Sequence, residues 1–364
     1  MISFGAVGDI MLSRGVGDII KTHDPLYPFK HITQELTQYD ILFGNLESPL
    51  STRGSPCKGK DPHITFRADP IAVQGLKATG FNILSLANNH ILDYGKDALT
   101  DTNRCLDEHG IKYIGVNKKK SQSPVIIEKL GLRIAFLSYT SYPIPKLNRH
   151  KRHNTYVGQL KIEYVRSDIN RLKQYYKPDV TIISVHWCID YARYPIPFQM
   201  EYAREMIDLG ADLIIGHHPH VIQGIEEYKE GLIIYSLGNF IFDEPFQETK
   251  KSFIFSCKLS KSGVQGAEII PVISNKTHQP ALAKGDESLR IKQEIEELSE
   301  EYKKNRWMKD DSKNPESTFF MVSLKLGLKD GNLLNYLGLF PKSFLLTKAL
   351  RIIFMRIINK FRCN

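Results

Sequence analysis

The sequence predicts an α/β fold, and two observations carry that reading. Six short apolar runs are each followed by residues able to bind a metal or move a proton: Ile2–Val7 before Asp9, Ile41–Phe43 before Asn45 and Glu47, Ile83–Leu86 before Asn89 and His90, Val180–Val185 before His186, Leu213–Ile215 before His218 and His220, and Leu232–Leu237 before Asn239. Runs of β-branched and aliphatic residues read as buried strands, and sheets of such strands collect ligands in the crevice beyond their carboxyl ends. Helical patterns fall at His31–Gln38, Pro70–Thr79, Ala98–His109, Glu163–Tyr176 and Phe198–Leu209. Strands and covering helices therefore alternate from Met1 to about Ile273, as in an α/β protein.

Taken in order, each strand end offers a donor. Gly8-Asp9 places a carboxylate after the first strand, with a glycine that lets the backbone turn closely beneath it; alone, the pair is a common strand-end turn. Asn45 and Glu47 share a side if the chain there is extended, and the two oxygens of Glu47 can serve two metals. An amide and an acid capping the next helix is the plainer alternative. In Asn88-Asn89-His90 with Asp93, Asn89 can give its amide oxygen to a metal, His90 can act beside it as proton donor or electrostatic stabiliser, and Asp93 can orient the imidazole. His186 ends a fully apolar strand, and strand alternation in Gly216-His217-His218-Pro219-His220 turns His218 and His220 the same way. One histidine at a strand end is usually a satisfied polar residue, but three converging with Asp9, Glu47 and Asn89 point to a site. The donors are carboxylate, amide oxygen and imidazole without thiolate, which suits one or two divalent ions of manganese, iron, zinc or magnesium. Arg14, Arg67, Tyr191 and Asn239 are further candidates for contacting substrate or shaping the pocket.

The 364 residues suffice for one large domain with appendages or for two ordinary ones, and 42% hydrophobic with 24% charged residues is a globular composition. We divide the chain into a catalytic-type domain at 1–275, a helical or irregular extension at 276–330 and a basic amphipathic tail at 331–364. Ser51–Asp61 and Tyr142–Asn154 read as exposed loops, the second with a basic and aromatic make-up that suits the rim of an anion site. Lys284–Lys309 reads as a charged helix docking through Leu289, Ile291, Ile295, Leu298 and Tyr302. The net charge of +9 suggests nucleic acid at first. From Gly331 to Asn364, however, there are Lys342, Lys348, Arg351, Arg356, Lys360 and Arg362 and no acid, so much of the excess sits in the tail. On a helix, Phe344–Phe361 gathers Leu350, Ile353, Phe354, Ile357, Ile358 and Phe361 on one side, too charged to span a bilayer and suited to its surface. The five cysteines form no Cys-x-x-Cys pair and read as free thiols of a reducing compartment. The start of the sequence lacks the features of a signal peptide, which places the site in the cytoplasm, peripheral at the inner face of the membrane if the tail binds lipid.

Gly8-Asp9-Ile10-Met11-Leu12, Gly44-Asn45-Leu46-Glu47-Ser48, Asn88-Asn89-His90-Ile91-Leu92-Asp93-Tyr94-Gly95, His186-Trp187, Gly216-His217-His218-Pro219-His220 and Tyr235-Ser236-Leu237-Gly238-Asn239-Phe240 together resemble the bacterial capsule synthesis protein family CapA, associated with poly-γ-glutamate capsules. The resemblance covers roughly residues 2 to 245. That family is in turn similar to the calcineurin-like metallophosphoesterases. The resemblance implies a four-layer α/β/β/α sandwich with a C-terminal helical extension and a two-metal site at the strand ends. It implies that Asp9, Glu47 and His220 hold one metal and that Glu47, Asn89, His186 and His218 hold the second, with His90 beside the substrate. The phosphoesterase pattern has a histidine where this chain has Met11 and an aspartate where it has Glu47, which leaves the first metal short of an imidazole. The family often carries an N-terminal membrane anchor, and the basic C-terminal helix here can take its place by attraction to anionic lipid.

Two function classes follow. The first is a metal-dependent, phosphoesterase-like hydrolase in biosynthesis, processing or export of an anionic capsule polymer such as poly-γ-glutamate, or acting on a phosphoester. The second is a non-catalytic, membrane-associated assembly factor for a capsule polymer synthase, favoured by Met11, the basic loop and the cationic tail. A nuclease ranks last, because the basic residues lie away from the predicted site and are not interleaved with aromatics around it.

Overall fold

The first apolar run becomes β1 (Ile2–Ile10), buried at the heart of an eight-stranded sheet. The structure, a computed structural model, describes residues 1–57, 60–116, 122–141 and 157–304, the last four by backbone alone. The Tyr142–Asn154 loop, the 331–364 tail with its predicted amphipathic helix, and the extension beyond Lys304 lie outside the described residues.

In the first sheet β1 is flanked on one side by β2 (Ile41–Leu46), β3 (Phe81–Ser85) and β4 (Lys112–Ile114), all parallel to it. On its other side run the antiparallel β12 (Lys251–Ser260), β13 (Gly263–Ser274) and β14 (Pro280–Leu282), while the short β11 (Asn239–Ile241) pairs with the end of β1. The second sheet has the order β5 (Val125–Lys129), β6 (Leu132–Thr140), β7 (Val180–His186), β8 (Leu213–His217), β10 (Gly231–Ile234) and β9 (Ile225–Tyr228). Its four inner strands are parallel and its two edges antiparallel.

The sheets pack face to face. Phe4, Ala6, Phe43 and Ile83 of the first meet Phe136, Ile182, Ile215 and Ile234 of the second, and Phe136 rests 6.3 Å from Phe4 and 6.5 Å from Phe43, ring centre to ring centre. Each such side chain removed from water contributes about 1.5–3 kcal/mol. The outer face of the first sheet is covered by α1 (Arg14–Thr22), α2 (Thr33–Leu36), α3 (Val73–Ala78) and α4 (Gly95–Glu108), through Val16, Ile20, Leu36, Leu76, Leu99 and Leu106. The outer face of the second is covered by α5 (Ile162–Arg171) and α6 (Pro197–Asp208), through Val165, Ile169, Met200 and Ala203. This is the expected four-layer α/β/β/α sandwich. A further helix, α7 (Gly285–Lys304), closes one end by inserting Ile291 and Ile295 between the sheets.

Three local expectations change. The run Leu232–Leu237 is not one strand: β10 ends at Ile234 in the second sheet, the chain crosses over at Tyr235–Gly238, and β11 begins in the first sheet. Leu289 is 66% exposed, because the docking stripe is Ile291, Ile295 and Leu298 and two residues of helix turn Leu289 away from it. Helix α1 was not anticipated, since Gly15 and Gly17 weaken its propensity; Val16 and Ile20, four apart, pack it down. Among the described residues no helix is long and apolar enough to cross a membrane.

Candidate metal centre

Strand register assembles the site. In the first sheet Asp9 lies opposite Asn45 and Asn239, and Asn45 lies opposite Ser85. In the second, Thr140, His186 and His217 form one row. Because the sheets are packed together, the two rows bring their polar ends to a common region at the carboxyl ends of parallel strands, where α/β sheets bind ligands. Two glycines let the crossover pass between them. A Cβ on Gly8 would lie 1.9 Å from the carbonyl oxygen of Gly238, and one on Gly216 would lie 1.9 Å from that of Tyr235.

Asp9, Glu47, His186, His218 and His220 all converge. Donor atoms of Glu47, His186 and His218 lie within 4.8 Å of one another, as do those of Asp9, Glu47 and His220. The Asn89 amide oxygen is 2.9 Å from His186 Nε2, and Glu47 Oε1 is 3.2 Å from His186 Nδ1. Asn45 sits among them, donating to Asp9 Oδ1 at 2.9 Å and to Glu47 Oε1 at 3.3 Å. Asn239 Oδ1 is 2.8 Å from His220 Nδ1, and Asp9 Oδ2 accepts from the His218 amide at 3.0 Å. His218 and His220 do not alternate along a strand as expected. β8 ends at His217, and both follow in a turn at φ 96° and 60°. Non-glycine residues are held there only when their surroundings over-determine them, and such positions cluster at functional sites.

The electrostatics fit a cation. Burial, aided by the neighbouring imidazoles, pushes His186 and His218 well below the usual range, so they are neutral, as a metal ligand must be. Burial and then the charge of Asp9 push Glu47 well above the usual carboxylate range. Burial also acts upward on Asp9, but His217, His220 and Asn45 outweigh it and its carboxyl stays below the usual value. Glu47 Oε2 is buried without a hydrogen-bond partner, which is costly for a carboxylate oxygen and is relieved by a divalent ion. Met11 offers nothing here: its sulfur accepts from Ser13 Oγ at 2.9 Å, and the side chain packs with Phe66 and Phe242.

Beside the cluster, His90 stacks on Phe66 at 4.0 Å, with Nδ1 2.8 Å from Asp93 Oδ2. Asp93 also accepts from the Phe66 amide and pairs with Lys60, whose ammonium lies 3.0 Å from His90 Nδ1 and donates to the Asn89 carbonyl at 3.3 Å. Asn88 makes the turn, its amide oxygen accepting from the backbone of His90 and Ile91. Burial, then Lys60, pushes His90 down to about 4. A histidine at 6.5 unfolded and about 4 folded binds fewer protons in the fold, so the stability it contributes is full above pH 6.5 and is lost as pH falls toward 4. In chelator-treated protein, His90→Asn is expected to flatten the fall in unfolding free energy between pH 6.5 and 4 by on the order of 3 kcal/mol. Parallel urea-denaturation curves for the two proteins across that range would contradict this.

Of the remaining candidates, Tyr191 packs 6.1 Å from His220 and donates to Glu244 at 3.1 Å. Arg14 pairs with Asp243 and lies 4.6 Å over Phe66. Arg67 is not brought to the cluster: its guanidinium sits 4.1 Å over Tyr94 and holds the carbonyls of the 52–54 loop. Sequence reasoning missed three residues. His217 Nδ1 lies 3.1 Å from Asp9 Oδ1, Lys60 enters from a loop read as exposed, and Asp190 approaches His218. Asp190 had a signal, a carboxylate four residues beyond the strand that ends in His186; Lys60 had none.

The fold and this cluster define a four-layer α/β/β/α sandwich with buried carboxylate, amide and imidazole donors gathered at its strand ends. The family model of the bacterial capsule synthesis protein PGA_cap matches residues 3–244, and the chain belongs to that family. It is 32% identical to the capsule biosynthesis protein CapA of Bacillus anthracis over 84% of this chain and 75% of the relative. It is 31% identical to the PGA biosynthesis protein CapA of Bacillus subtilis (strain 168), over 83% and 78%. Among solved structures, the 5'-nucleotidase of Candida albicans SC5314 aligns at a TM-score of 0.43 and 13% identity, over 83% of this chain and 58% of that one.

Proposed function

We propose that this protein serves the biosynthesis of an anionic capsule polymer of the poly-γ-glutamate kind, as a metal-dependent hydrolase. The observation that carries the reading is the buried convergence of Asp9, Glu47, His186, His218 and His220, with the His186 and His218 imidazoles pushed toward their neutral form by burial and an unpartnered Glu47 oxygen. Asp9, Glu47 and His220 would hold one divalent ion and Glu47, Asn89, His186 and His218 a second. Such ions supply Lewis acidity that polarises a phosphoryl or acyl group and makes water a nucleophile at neutral pH. Asp93 accepts at His90 Nδ1, which leaves Nε2 able to take and return a proton at the substrate. Lys60 holds Asp93 and the Asn89 carbonyl, fixing both donors of that loop. Arg14 and Tyr191 lie nearby, held by Asp243 and Glu244, and would have to exchange those carboxylates for an anionic chain.

Protein purified without chelator is expected to carry up to two equivalents of divalent metal, lost in His186→Ala and His218→Ala, and to hydrolyse a generic phosphodiester or γ-glutamyl substrate with added manganese. Metal analysis showing none would sink the reading. One observation favours a second reading, a non-catalytic assembly factor for a capsule synthase: the enclosed Met11 sulfur removes a possible ligand beside Asp9. One bound equivalent without turnover would support it. In either case the basic segment 342–362 is taken to contact anionic lipid at the inner face of the membrane, and flotation of the full chain with anionic vesicles, lost on removing residues 339–364, tests that.

A further inference from the structure

Asp190 lies outside both ligand sets named above, yet the structure sets its carboxylate against the two histidines of the β8 turn. Its Oδ1 is 3.3 Å from His218 Nε2 and 3.9 Å from His220 Nε2, and one donor atom of each residue lies within 4.8 Å of the other two. A cation with donors about 2.0–2.2 Å away keeps neighbouring donors roughly 3–3.6 Å apart. One observed separation falls in that span and the other needs a small side-chain rotation. The geometry points to a further metal position, and we propose that Asp190, His218 and His220 hold a divalent ion as a two-imidazole, one-carboxylate set at the outer edge of the cluster. The proposal rests on the metal-binding reading above and adds to it a residue and a place.

Three features support the assignment. His220 faces Asn239 Oδ1 through Nδ1, which leaves Nε2 turned to Asp190. The side chain of Asp190 is 27% exposed whereas those of Asp9 and Glu47 are fully buried, so this is the position an ion meets first from solvent and the one with coordination places left for water or ligand oxygen. An imidazole that coordinates through one nitrogen also gives its lone pair to one ion only. His218 and His220 therefore cannot serve the outer and inner positions at once, and Asp190 governs how the ions are shared. A plain Asp190–His218 hydrogen bond is the competing explanation.

Cobalt(II) titration of the full chain separates these cases. Asp190→Ala is expected to weaken uptake of one equivalent at least about tenfold and to change the visible cobalt absorption, while thermal unfolding of the chelator-treated protein stays unchanged. Asp190→Asn, which keeps the size and removes only the charge, should move both readouts the same way. Wild-type affinity and spectrum in both variants, with uptake abolished by Glu47→Gln, would overturn the outer position and leave the inner one standing. No cobalt uptake by the wild type would overturn both.

Discussion

Replacing Lys60 with methionine is expected to destabilise the protein by about 3–5 kcal/mol, the usual cost of leaving one partner of a buried ion pair alone. The side chains of Lys60 and Asp93 are each 2% exposed, so water cannot restore the lost charge partner. Asp93 would keep its contacts to His90 and the Phe66 amide, and methionine has a similar length, which confines the loss to the charge and its hydrogen bonds. Asp93→Asn should cost a comparable amount and the double variant less than the sum, because the two changes remove one interaction. Urea unfolding of the four proteins measures this. A loss below about 1 kcal/mol in Lys60→Met would place the pair in the range of solvent-exposed bridges and contradict the buried clamp.

The second large effect concerns Glu47, whose replacement by glutamine should act in opposite directions with and without metal. Its folded pKa is raised by burial and by Asp9. A carboxyl raised in this way contributes stability that is present below its unfolded value and is lost as pH rises through the folded one. In chelator-treated protein at pH 7, Glu47→Gln should therefore be at least as stable as the wild type. With metal at a hundred times its dissociation constant the wild type should gain about 2.7 kcal/mol by binding linkage, and the variant clearly less, since Glu47 belongs to both inner sets and only the outer Asp190 position is left to it. Thermal unfolding with and without added manganese or zinc reads both terms. A variant that gains as much as the wild type would remove Glu47 from the centre.

Much of this architecture was legible because one physical rule produces both strand and site. A strand buried on both faces must be apolar along its length, so its first polar residues mark where it emerges, and in parallel sheets those ends lie together. Asp9, Asn45, Glu47, His186 and the β8 turn were found that way. The rule failed where the backbone departs from a strand. The run through Leu237 looks continuous, yet it crosses from one sheet to the other. His218 and His220 meet through left-handed turn geometry, not through alternation. Lys60 was illegible because a lysine in a polar loop gives no sign of burial, and only the fold brings it beneath Asp93. Asp190 escapes the strand-end rule because it lies four residues past His186, beyond the first donor after the strand.

The most direct test of the metal centre is anomalous diffraction from crystals grown with manganese or zinc. A peak is expected among Glu47, His186 and His218, with further density toward Asp9 and His220 or toward Asp190. Saturating metal with no anomalous peak within coordination distance of Glu47 would contradict it.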